Sequence, residues 1–137
     1  MHEPIRVFKS IEQAVACLKE WQSRLFLDDW IINVKLCRQC DMCEEGNAGE
    51  NEYQAGSKRS VIRIATDYDQ EGFIEKVCHE KILVHELLHC KYNWVMVDPD
   101  NYIAHYFDTM DHALLEQMAK TLIMVKYDLP FEWFKNF

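Results

Sequence analysis

Long apolar runs are missing from these 137 residues: no stretch approaches the ~18 consecutive apolar residues that a membrane-spanning helix needs. A basic excess is missing too. Fifteen lysines and arginines stand against 23 aspartates and glutamates, a formal net charge of −8. Such a surface repels phosphate backbones, which argues against nucleic-acid binding through a broad basic patch; Lys58, Arg59 and Arg63 make too small a spot to reverse this. The start, Met1-His2-Glu3-Pro4-Ile5-Arg6, lacks the charged-then-apolar layout of a secretory leader. Internal repeats and low-complexity tracts are absent. The expectation is a soluble, cytoplasmic chain that contacts neither membrane nor nucleic acid. In such a reducing compartment the cysteines at 17, 37, 40, 43, 78 and 90 are thiols or metal ligands before they are disulfides.

What is present suffices for one domain over 1–137. Apolar residues make up 49% and aromatics 12%, enough to bury a core without covalent staples. From Ser10 to Leu27, Ile11, Val15, Leu18, Trp21 and Leu25 recur at helical steps. Ser10 stands as N-cap, and Gln13 three residues later completes a capping box. Trp30 to Leu36 alternates and is rich in β-branched residues, which predicts a strand; Ser60 to Thr66 predicts a second. Between them, 38–60 holds three of the four glycines, many acids and two cysteines, and reads as one long loop, mobile or metal-binding. A helix is expected from about Phe73 to Tyr92. An aromatic-rich connection follows, and Thr109 caps a last helix that runs to about Lys126 and is closed by Pro130. The order is that of an α+β domain, a small twisted sheet packed with an N-terminal helix, a central helix and a C-terminal helix.

The central helix carries His85-Glu86-Leu87-Leu88-His89. Histidines four apart project from one face on adjacent turns, so their imidazoles can converge on a single ion. Glu86 points about a quarter-turn away. It can reach a water on the metal and serve as general base, since zinc lowers the pKa of bound water toward ~7. Ile82, Leu83, Val84, Leu87 and Leu88 surround these polar groups, and burying them without partners costs several kcal/mol. A metal supplies partners; backbone groups are the alternative. Catalytic zinc usually takes three protein ligands, so a third is owed. A glycine at 92 and a histidine at 95 would extend the motif, but Tyr92 and Val95 stand there. On the last helix Leu115, Ala119, Leu122 and Ile123 mark the inward stripe, and Glu116 lies within or beside it. Glu116 is the first choice for third ligand, followed by His112 and then His105.

Through Val84 to His89, followed by Leu115-Glu116-Gln117-Met118-Ala119, the chain resembles the zincin metallopeptidases whose third ligand is a glutamate on a following helix. The likeness is to small phage- and prophage-type metallopeptidases, and more loosely to the ImmA/IrrE-like and SprT-like groups. The architecture match covers most of the chain, but only H-E-x-x-H is a specific motif. The resemblance implies a zincin-like fold, zinc on His85, His89 and Glu116, and Glu86 as base. It implies that the strand 60–66 lies at the sheet edge, where an extended peptide substrate pairs with it. It also implies an oxyanion donor, with His112, His105 and Tyr106 as candidates.

Cys37, Cys40 and Cys43, spaced by two residues each, form a second constellation able to grip a structural zinc, though a fourth ligand would have to come from afar. Free thiols in a mobile loop are the plainer reading. Cys78-His79-Glu80 reads as a solvated helical face, and Phe131, Trp133, Phe134 and Phe137 as core or lid packing. The expected function is zinc-dependent hydrolysis of peptide bonds in an intracellular protein or peptide. The rivals are a non-catalytic, zinc-stabilised interaction module and a cysteine-based metal or redox sensor.

Overall fold

The computed structural model describes residues 3–43, 47–68, 77–92 and 102–135, with backbone alone over 102–109. It is an α+β fold in which three helices flank a small, open, mixed three-stranded sheet. In chain order the elements are α1 (Ile11–Arg24), β1 (Ile31–Cys37), a 3-10 turn (Gln39–Asp41), β2 (Gly49–Gln54), β3 (Arg59–Ala65), α2 (His79–Lys91), α3 (Tyr102–Tyr127) and a last 3-10 turn (Phe131–Phe134). No helix among the described residues is long and apolar enough to cross a membrane.

Helix α1 starts as its sequence dictates, with the Ser10 hydroxyl accepting from the Gln13 amide at 3.1 Å. The return half of the box is shifted by one residue: Gln13 Oε1 accepts from Lys9 N rather than from Ser10 N. Strand β3 is the middle strand. It runs parallel to β1, in register from Ile31↔Arg59 to Cys37↔Ala65, and antiparallel to β2, from Gly49↔Ile64 to Gln54↔Arg59. Two expectations are corrected here. Residues 38–60 are not one long loop, because β2 lies inside them. The strand that precedes α2, β3, is central, and β2 is the edge strand beside α2. The segment Gly-Glu-Asn-Glu-Tyr-Gln has little β-propensity of its own; its strand form comes from the ladder with β3.

Ser60, Ile62 and Ile64 alternate inward on β3 and meet Val34 of β1 beneath the helices. Leu83, Leu87 and Leu88 of α2 pack there with Trp21 of α1 and Leu115, Ala119 and Ile123 of α3. Each fully buried large aliphatic side chain contributes roughly 1.5–3 kcal/mol. That explains why α2 is buried over most of its surface and sits at the centre. The last helix is longer than expected, since α3 already begins at Tyr102 and Thr109 lies within it. Helix α2 starts at His79, later than expected: Val77 and Cys78 are not helical, Cys78 being its extended N-cap, and 73–76 lie outside the described residues.

The expected solvated face at Cys78-His79-Glu80 is overturned. All three residues are buried, and Glu80 is wholly inaccessible. Its Oε1 accepts from Ile5 N at 2.9 Å and Tyr127 Oη at 2.6 Å, and its Oε2 from Trp21 Nε1 at 2.8 Å and Lys126 Nζ at 2.9 Å. His79 Nδ1 accepts from Phe8 N at 2.9 Å. The N-terminal segment folds over the start of α2, which periodicity within the helix could not reveal. One carboxylate thus pins that segment, α1 and α3 to the first turn of α2.

Candidate metal centre

His85 and His89 lie one turn apart on α2, and His112 approaches them from α3. One ring nitrogen from each falls within 4.8 Å of the others. The ring centroids are 5.1 Å apart for His85–His89, 5.8 Å for His85–His112 and 4.7 Å for His89–His112. His112 is exposed and the other two are half-buried, so the group opens toward solvent. Burial first, and the neighbouring charges of His85 and His112 next, push His89 down to about 4. It is therefore unprotonated at neutral pH, the state a metal ligand needs. Three imidazole donors this close together could hold a metal ion.

Glu116 stands one turn after His112 on α3. Its Oε2 lies 2.7 Å from His85 Nδ1, and its Oε1 accepts from Lys81 Nζ at 2.5 Å. Burial would raise this carboxyl, but the hydrogen bond from His85 and the charge of Lys81 outweigh it and hold the group at about 2. Lys81 was not singled out by motif. The available signal was a lysine one turn before His85, on the same side of the helix.

Glu86 is buried, 8% exposed. It borders a cavity of about 190 Å³ shared with Gly49, Lys81, Ile82, His85 and Glu116. Burial, opposed by His85 and reinforced by the charges of Glu50 and Glu116, pushes its carboxyl up to about 7. Edge strand β2 forms the other wall. Asn51 Nδ2 donates to the Glu86 carbonyl at 2.7 Å and contacts Cys90 Sγ at 3.2 Å, while Ser60 Oγ donates to Asn51 Oδ1. A Cβ at Gly49 would collide with Ile82 Cγ2, so glycine is what lets β2 approach α2 this closely. Sequence reasoning missed both residues, because their roles depend on a strand that composition hid.

No protein-family model, no curated protein and no solved structure matches the chain. The chain is a small α+β domain with clustered histidine, glutamate and cysteine side chains able to chelate a metal ion.

The cysteine triplet is not gathered. Among the described residues, the second group with ligand atoms within 4.8 Å of one another is Cys43, Glu50 and Glu52, without Cys37 or Cys40. Cys43 Sγ donates to Glu52 Oε1 at 3.2 Å, and Arg63 pairs with the same carboxylate. The side chains of His105 and Tyr106, candidates for ligand or oxyanion donor, lie outside the described residues, as does Phe137. Phe131 is 64% exposed, while Trp133 and Phe134 are half-buried and meet edge to face at 4.8 Å between centroids.

Proposed function

We propose that this chain is a zinc-binding module in which His85, His89 and His112 hold one ion and thereby join α2 to α3. The observation that carries the proposal is the meeting of three imidazole nitrogens from two helices within 4.8 Å. Bound there, zinc supplies a cross-link between the helices and, at an open position, Lewis acidity. Glu116, the first choice for a ligand in the sequence, instead has both oxygens on protein donors, His85 and Lys81, which favours His112 for the third place.

A second reading, peptide-bond hydrolysis at the same ion, is favoured by the setting of Glu86. Its carboxyl follows the ligand His85, borders a cavity and has its pKa raised to about 7, close to the value useful in a general base. In this reading Glu86 takes and returns the proton, and an extended peptide pairs with the outer edge of β2, where no strand among the described residues lies, rather than with β3.

Zinc titration with elemental analysis tests the module. The expected result is one zinc per chain, lost on His89→Ala or His112→Ala, and a stability gain of about 2.7 kcal/mol at a hundredfold excess over Kd. A parent chain that takes up no zinc would end both readings. Glu86→Gln separates them in a peptide-library digest: hydrolysis requires cleavage by the parent and none by a variant that keeps its zinc. Absence of cleavage from both leaves the module alone.

A further inference from the structure

A carboxylate only accepts hydrogen bonds, so the 2.7 Å contact between Glu116 Oε2 and His85 Nδ1 places a hydrogen on Nδ1. The other ring nitrogen, Nε2, is then the one that offers a lone pair to an ion shared with His89 and His112. What keeps Glu116 in that orientation is the engagement of its second oxygen. Lys81 Nζ reaches Oε1 at 2.5 Å from one turn before His85. The three side chains form a relay that leaves α2 at Lys81, crosses to Glu116 on α3 and returns to α2 at His85. Lys81 is 8% exposed, and a cation so placed is held by its pairing rather than by water. Released from Lys81, the Glu116 carboxylate would be free to rotate about its last torsion and to turn toward His112, its neighbour one helical turn back.

We propose that Lys81 is a positioning residue of the metal centre: by engaging one oxygen of Glu116 it holds the other on His85 Nδ1, which selects the His85 tautomer that faces the ion and keeps Glu116 out of the ligand set. Only the affinity arm of its test rests on the zinc reading. The tautomer is a property of the metal-free chain.

The experiment uses the full chain with ¹⁵N-labelled histidine, at mildly alkaline pH and without metal. Two-bond proton–nitrogen spectra should show His85 as the Nδ1–H tautomer in the parent and in Lys81→Arg. Lys81→Met should show a mixture or the Nε2–H form. With zinc alone as probe, in competition with a chromophoric chelator, Lys81→Met should weaken affinity about tenfold and Lys81→Arg should restore most of it. Should Lys81→Met fail to fold, Glu116→Gln carries the same test, with a similar loss of affinity and of tautomer preference. Unchanged tautomer and affinity in whichever of Lys81→Met and Glu116→Gln folds would overturn the proposal. So would abolition of zinc binding by Glu116→Gln together with tighter binding in Lys81→Met, the pattern of a glutamate ligand. A parent that binds no zinc would remove the module reading, and the tautomer would still decide the relay.

Discussion

Asn51 on the edge strand donates its side-chain amide to the main-chain carbonyl of Glu86, 2.7 Å away, so β2 grips α2 beside the histidine cluster. The same amide group accepts from the buried Ser60 hydroxyl, which makes Asn51 a three-way link among β2, β3 and α2. Asn51→Ala should lower unfolding free energy by about 1–3 kcal/mol, because it leaves the Ser60 hydroxyl without that acceptor. A urea midpoint equal to the parent's would show that the link contributes nothing.

Gly49→Ala should destabilise by roughly 1–3 kcal/mol through overpacking against Ile82. The β-branched side chain of Ile82 has a stiff χ1 and yields poorly. Combining Gly49→Ala with Ile82→Ala should cost less than the sum of the two single changes, since the cavity made by one receives the methyl added by the other. Simple additivity in denaturant melts would count against the close approach.

Glu80→Ala should cost about 3–5 kcal/mol, because it leaves the Trp21 indole N–H and the Tyr127 hydroxyl without this acceptor and the part-buried Lys126 ammonium with Glu20 alone, 3.1 Å away. Replacing Lys126 by Met in the same chain should recover part of that loss. A surface-like cost below about 0.5 kcal/mol would contradict the burial of this network.

Burial lowers the pKa of His79, against a hydrogen bond to Ala65 that raises it, so the imidazole resists protonation in the folded chain. A base whose folded pKa is depressed lends stability that is complete above its unfolded value of about 6.5 and is lost as pH falls below it. His89 acts in the same direction in the metal-free protein, whereas Glu86, whose folded pKa is raised, acts in the opposite one. The clean readout is therefore a difference. His79→Gln should lose less stability than the parent on going from neutral pH into the acid range, in parallel urea titrations. Equal losses would refute the role of His79.

Cys43 is exposed, yet its thiol is raised to about 11, chiefly by its hydrogen bonds to Glu52 and Glu50. Alkylation at neutral pH should be slower at Cys43 than at an unperturbed thiol, and Glu52→Gln should speed it several-fold. Mass-spectrometric mapping of early products distinguishes Cys43 from Cys40. Fast labelling of Cys43 in the parent would disprove the contact.

Parts of this fold were legible because they depend on local repetition. The Ser10 cap, the alternation through Val34 and the β-branched run through Ile62 and Ile64 each report a backbone state that neighbouring residues enforce. Strand β2 was not legible, because Glu50, Asn51 and Glu52 form a strand only when β3 offers its ladder. Glu80 and His79 were misjudged for a related reason: the residues that cover them, Ile5, Phe8 and Tyr127, lie more than 40 positions away in the chain.

By itself the sequence determined that His85 and His89 share one side of an interior helix, since helical pitch and the apolar residues between them leave no other arrangement. It also offered Glu116, His112 and His105 as third partner, the first two standing one turn apart on one face of α3. Only the tertiary structure could choose between those two. The choice depends on the depth at which α3 crosses α2, where His112 meets both rings and Glu116 meets His85 Nδ1 and Lys81. Packing sets that depth, and no periodicity along a single helix encodes it.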